Sequence, residues 1–471
     1  MVSPLAMIPF ILLLGLIASM PFINKHWWES YYPHVAVALA LPVIGYYLFG
    51  VQHIDRLVTT GHEYLSFIIF IGSLFIVAGG VHIRLRGKST PLANVLFLAA
   101  GAVISNIMGT TGASMVMIRP YLRVNKHRLR AFHTVFFIFI VGNVGGALTP
   151  IGDPPLFLGY LRGVPFFWVM EYVWHMWALA LGALLLLFFI IDYLSMRSHR
   201  QAHPRAYKEE AEEVAEVSGL PNFFFLAVIV VAAFVQRPTG VREALMLLAA
   251  AGSYLFTKKE IHAKNDFNFA PIKEVAVLFF GIFATMIPAL EWLELNAGQI
   301  GISTPGQFYW GAGLLSSVLD NAPTYLSFLS ASIGLFVDAD IVNQVQHLVA
   351  TNGADITSIA GKHSEEIRNT FATLVKYHGD LVATGNVPID DINISYLIGN
   401  HNIYLKSISI AAVFFGACTY IGNGPNFMVR AIAEQAHAPV PTFAGYVGRY
   451  SLPILLPVFA CIWFLFFRQG V

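Results

Sequence analysis

The sequence predicts an all-α polytopic membrane protein made of two inverted repeats, each holding a re-entrant hairpin and a broken transmembrane helix. Three observations carry that prediction. Of the 471 residues, 56% are hydrophobic and 12% charged, about half the charged share of a soluble protein, and mean hydropathy is +0.65. Two apolar stretches carry the same Gly- and Pro-rich interruption. The Lys and Arg residues fall on alternate loops, which fixes a side for each segment by the positive-inside rule.

In chain order, spans are expected near 5–23, 34–51, 64–83, 131–161 (broken), 172–194, 221–236, 241–257, 274–293, 403–436 (broken) and 447–467. Most reach the about 17–25 apolar residues that a bilayer requires, while 221–236 and 241–257 are short. Residues 1–23 lack a charged leader and read as a first span with an external N-terminus. Trp27, Trp28, Tyr31 and Tyr32 suit an interfacial belt. His82 and His175 fall in spans as packing residues, and Glu171, Glu291 and Glu294 lie at external ends, where they can reach water. Glu434 lies near the cytoplasmic exit of the second broken helix.

Two further apolar segments, 92–118 and 306–337, read as hairpins. Arg84, Arg86 and Lys88 precede the first, and Arg119, Arg123, Lys126, Arg128 and Arg130 follow it. Both flanks are therefore cytoplasmic, so the segment enters and leaves on one side, with a tip expected from Ser105-Asn106 to Thr110-Thr111. Matching Asn106 to Asn321 places the second tip at Asp320-Asn321. The domains that follow are a first repeat (1–198), a charged cytoplasmic linker (199–220) and a second repeat (221–471). The linker's KEEAEEVAEV run reads as a solvated helix face. The second repeat is interrupted at about 338–402 by a polar external insertion, read as a variable loop. Both termini come out external.

The interruptions are GNVGGALTPIGDPPLFLG (142–159) and GACTYIGNGPNFMV (416–429). They share Thr-x-Ile-Gly-x-x-Pro, with Thr149 and Thr419 in register. Missing proline donors and flexible glycines free backbone polar groups, which a bilayer tolerates only where protein or a watery cavity satisfies them. Paired interrupted segments in corresponding halves point to a transporter site.

The chemistry expected there is ion handling. Carbonyls and half-helix C-termini coordinate Na⁺, and N-terminal ends attract anions. Oxygen ligands available at the hairpins and breaks are Ser105, Asn106, Thr110, Thr111 and Thr149 in the first half, and Asn321, Thr324, Thr419 and Asn423 in the second. Two acids, Asp153 and Asp320, lie at membrane depth, where an ionisable side chain is a functional candidate by default. A carboxylate withdrawn from water can exchange a proton for a cation, which is the minimum machinery for antiport. Na⁺ ligation is assigned to Asp320, Asn321, Ser105 and Asn106.

A formal charge of +1 does not suggest nucleic acid, and two cysteines, Cys418 and Cys461, make neither a disulfide framework nor a metal site. No nucleophile–base constellation suggests an enzyme, and no cofactor is expected beyond Na⁺ and H⁺.

The hairpin tips, with GGALTPIGDPP (145–155) and YIGNGPN (420–426), resemble the ion transporter superfamily. That group includes NhaD-type sodium/proton antiporters, arsenite permeases, citrate/metal transporters and dicarboxylate/sodium symporters. In its symporters, Ser-Asn-Thr tips hold substrate carboxylates and Na⁺. The tips here read Ser105-Asn106-Ile107 and Asp320-Asn321-Ala322, without the third-position Thr. An Asp at a tip would repel a carboxylate, so the resemblance implies the antiporter branch. The expectation is a secondary transporter of the inner (cell) membrane, exchanging Na⁺ or Li⁺ for H⁺ by alternating access. The alternative is a cation-coupled citrate, di- or tricarboxylate transporter. By analogy the superfamily implies a homodimer.

Overall fold

The computed structural model describes residues 3–86, 89–202, 214–235, 238–351, 353 and 361–468. Among them seven helices are long and apolar enough to cross a membrane. Six of the expected full spans are among these, at Ile8–Ile23, Lys25–Gly45, Ile54–Gly79, Trp168–Ala202, Ala270–Asn296 and Phe443–Phe467; the seventh helix is Pro91–Val124, and the other two expected spans form as the shorter helices Pro221–Ala233 and Val241–Phe256. Pro221–Ala233 and Val241–Phe256 have 13 and 16 residues, about 20 and 24 Å of helix, less than a hydrocarbon core of about 30 Å. Many helices begin with proline in the first turn, where its missing N–H leaves no bond unmade.

The 64–83 expectation needs correcting at its end. The helix stops at Gly79, and His82–Arg86 pairs as an antiparallel strand with Val214–Ser218. His82 is thus outside a span, and its Nδ1 donates to Asn265 Oδ1 at 2.9 Å. The last part of the linker is likewise strand and not a helix face; the start of its Glu-rich run, 208–213, lies outside the described residues.

Pro91–Val124 is two helices that meet at Gly109, where Thr110 N leaves the helix ladder for the Gly152 carbonyl and the φ of +77° is one a residue with a Cβ rarely adopts. A straight helix would hold Asn94 and Asn125 about 46 Å apart. Instead their side-chain amides bond reciprocally at 2.8 and 2.9 Å, and Phe97 stacks on Tyr121 with centroids 5.3 Å apart. The segment is a helical hairpin. Its open end is pinned by a buried ion pair that the sequence reading passed over. Arg128 grips the Asp192 carboxylate with both Nη atoms, while Asn94 Nδ2 also donates to Asp192 at 3.0 Å and His133 Nε2 lies 3.3 Å away.

The second hairpin consists of Pro305–Val318 and Asn321–Phe336. Thr304 and Gln307 form a reciprocal capping box at its start. Phe308 meets both Phe328 and Phe336, which brings the two arms side by side.

The insertion is no irregular loop. The chain turns by 90° from Asn321–Phe336 into Ala339–Ala350. That helix packs with Ser364–Ala383 and the start of Ile389–Phe415 around a separate core that includes Ile341, Val345, Leu348, Leu374 and Ile392. Ile389–Phe415 is kinked at His401. Apolar residues spaced three or four apart along these helices face the small core, which explains why so polar a segment folds.

Candidate ion and substrate site

Both breaks form as the glycine and proline pattern anticipates. Ala131–Ile140 ends before the first break and Pro154–Leu161 resumes after it; Ile389–Phe415 and Gly424–Gln435 flank the second. In each, the backbone crosses itself at two glycines. A Cβ on Gly152 would lie 1.9 Å from the Gly146 carbonyl oxygen, and one on Gly422 would lie 2.6 Å from that of Gly416. No other residue fits such approaches.

The two threonines do equivalent work. Thr149 Oγ1 donates to the Asn106 carbonyl and Thr419 Oγ1 to that of Ser317, both at 2.6 Å. The same hydroxyls accept from Gly152 N and Gly422 N at 3.1 Å. Ser105 and Ser316 form a matching pair, donating to the carbonyls of Val141 and Ala412 at 2.8 and 2.6 Å. These contacts shift the register expected between the hairpins. Asn106 corresponds to Ser317 and not to Asn321, so Asp320 corresponds to Gly109 and Thr110 to Asn321.

Asp153 is the centre on which the four segments converge. Its backbone caps Pro154–Leu161, and its carboxylate is 1% exposed. Oδ1 accepts from Thr110 Oγ1 at 2.9 Å and Asn423 Nδ2 at 3.0 Å; Oδ2 accepts from Asn321 Nδ2 at 2.6 Å. One donor comes from each hairpin and one from the opposite break. All are neutral, and among the described residues no Lys, Arg or His pairs with Asp153. The carboxylate fixes the amide orientation of Asn321, whose Oδ1 is then buried with no hydrogen-bond partner. A carboxylate beside an unpartnered amide oxygen is a donor set suited to a proton or a hard cation.

The remaining candidates are placed nearby but hold backbone. Asn106 Nδ2 donates to the Gly145 carbonyl at 2.6 Å, and its Oδ1 accepts from Leu148 N at 2.9 Å. Thr324 donates back to the Asp320 carbonyl at 3.0 Å. Asp320 is partly exposed at the second tip and caps Asn321–Phe336, accepting from Ala322 N at 3.0 Å.

Two buried asparagines were missed. Asn143 Nδ2 donates to Asn426 Oδ1 at 2.6 Å, and Asn143 Oδ1 accepts from Asn423 Nδ2 at 3.1 Å. Together with Asn423 they extend the amide network from Asp153 across both breaks. Both lie inside the quoted motifs, so an amide within each glycine-rich interruption was the available signal.

A family model described as "Putative citrate transport" matches residues 1–467. The chain is also 23% identical over 261 residues to an uncharacterized transporter of Mycobacterium bovis and, equally, to one of Mycobacterium tuberculosis. Each match covers 50% of this chain and 58% of the relative, so the chain spans little more than half the length of the curated relatives it matches.

Proposed function

We propose, for a chain that belongs to the citrate-transport family whose model spans residues 1–467, secondary active transport of a citrate-like carboxylate coupled to a cation at Asp153. The observation that carries the reading is the buried Asp153 carboxylate with neutral donors alone. A charge withdrawn from water has to be paired, neutralised or bound to a metal ion. With no cationic side chain paired to it among the described residues, a mobile H⁺ or Na⁺ has to fill that role, and its arrival and departure become part of the cycle. The cation also answers the repulsion that Asp320 would exert on an anionic substrate. Thr110, Asn321 and Asn423 would ligate or orient; Ser105, Asn106, Thr149 and Thr419 would hold the breaks open.

The transport unit in this reading is a pair of inverted repeats working by alternating access, with both termini external and a homodimeric assembly. The family favours the carboxylate over bare Na⁺/H⁺ exchange. The antiport reading draws on one specific observation: among the described residues no Lys or Arg pairs with Asp153 or Asp320 to hold a carboxylate directly.

Proteoliposomes loaded with the full chain separate the two. Labelled citrate uptake driven by an imposed Na⁺ or H⁺ gradient is the expected result, lost in Asp153→Asn. Cation-evoked proton movement with no citrate uptake would replace the carboxylate reading with antiport.

A further inference from the structure

A cavity lies away from Asp153, yet two of the helices that line it lead back to it. It measures about 490 Å³ including its open mouth, and Arg56, Arg162, Glu294, Ser330, Asp390 and Asn393 are among its lining residues. Arg162 follows Pro154–Leu161, the half-helix that Asp153 caps, and so stands about 13 Å along the axis from the carboxylate. Ser330 belongs to Asn321–Phe336, whose first residue donates to Asp153. The two helices pack closely, since a Cβ on Gly159 would lie 2.4 Å from the Tyr325 hydroxyl.

The two arginines keep donors free for a ligand. Arg162 binds Glu63 through Nε at 2.9 Å and Nη2 at 3.1 Å. Its Nη1 stands 3.8 Å from Asp390, beyond hydrogen-bond reach. Arg56 approaches Glu294 at 3.6 Å, is half exposed, and makes no hydrogen bond among the described residues. A guanidinium fork is matched in geometry to a carboxylate. Glu63, Glu294 and Asp390 outnumber the two guanidiniums, so an anion held here competes with resident acids, binds weakly and leaves readily.

We propose that this cavity is a vestibular anion subsite, in which Arg56 and Arg162 take a carboxylate group of the incoming substrate before it reaches the breaks. The proposal rests on the carboxylate reading above for its ligand.

The test uses Asn393→Cys in a full chain carrying Cys418→Ser and Cys461→Ser, in membrane vesicles, with N-ethylmaleimide as a neutral probe and citrate as the ligand. Citrate is expected to slow modification at least fivefold, Arg56→Gln to abolish the slowing, and Arg56→Lys to restore part of it. The same vesicles report labelled citrate uptake. Uptake without slowing overturns the subsite and leaves the carrier reading intact. Arg56-dependent slowing without uptake keeps the subsite and overturns the carrier reading. Slowing that survives Arg56→Gln overturns the assignment to Arg56, and neither slowing nor uptake overturns both.

Discussion

Asp153 and Asn321 are 168 residues apart in the chain and joined by a 2.6 Å hydrogen bond across the centre of the site. That bond ties the first break to the second hairpin, so a change of charge at one acid is felt in both halves. Asp153→Asn keeps the shape and removes a buried charge that has only neutral partners. Gradient-driven citrate accumulation is expected to vanish while the melting temperature stays level or rises. A large fall in melting temperature would mean that the charge is already compensated.

Asn321→Ala removes one donor to the carboxylate and the unpartnered Oδ1 together. Half-saturation by the coupling cation should move upward by about tenfold, the equivalent of about 1.4 kcal/mol. Uptake measured against cation concentration reads this directly.

A glycine at a crossing and one beside the matching break give a contrast. Gly152→Ala puts a methyl 1.9 Å from a backbone oxygen that cannot step aside, whereas a Cβ at Gly424 meets nothing within 4 Å. The first variant should yield no folded protein in detergent by size-exclusion chromatography. The second should be stable to within about 1 kcal/mol of the parent.

At the base of the first hairpin, Arg128→Met leaves Asp192 buried without its cation. Breaking such a pair costs about 3–5 kcal/mol. The double variant Arg128→Met/Asp192→Asn should recover part of that loss, which thermal unfolding of the parent and both variants would show.

The insertion is fastened more loosely. Lys376 Nζ meets Glu171 at 2.7 Å, with both side chains about half exposed. The hydrogen bond to Glu171 raises the Lys376 pKa above its ordinary 10.5. From neutral pH upward the pair's contribution is therefore whole to about pH 10.5 and fades as pH climbs through the raised value. Exposure and salt keep that contribution under about 1 kcal/mol. Lys376→Ala should accordingly leave the melting temperature within a few degrees at neutral pH.

Much of this architecture was legible in the residues. Glycine, proline and Asp inside apolar runs have few outcomes in a membrane, and both breaks and both hairpins form where those residues fall. The register between hairpins was misread because identical asparagines align more readily than Gly109 with Asp320. Here the backbone turn, and not the side chain, is the equivalent feature. The strand pairing of His82–Arg86 with Val214–Ser218 joins two five-residue segments; Ile83 and Leu85 do alternate with polar residues, but so short a stretch at the end of an apolar run reads as part of the span. Asp192 was overlooked because one acid in a long apolar helix gives no sign of its partner, and Arg128 was counted only as a topology marker. Asn143 and Asn426 look in sequence like ordinary turn residues; only their meeting makes them part of the network.

Asp153 and Asn423 cap the two resumed half-helices at matching positions, and a 3.0 Å hydrogen bond links them. The pair differs by the exchange of an oxygen for an amide nitrogen, so the chain carries its charge on one side of a nearly mirrored junction. Interchanging the two residues would keep donor facing acceptor and move the acid by roughly one hydrogen-bond length. If the duplicated segments descend from one ancestral unit, the junction needed to break its likeness at a single functional group to gain one cation and not two. The number of charges moved per cycle would then be a property of that divergence, and electrical recordings of the interchanged chain would read it out as an unaltered stoichiometry.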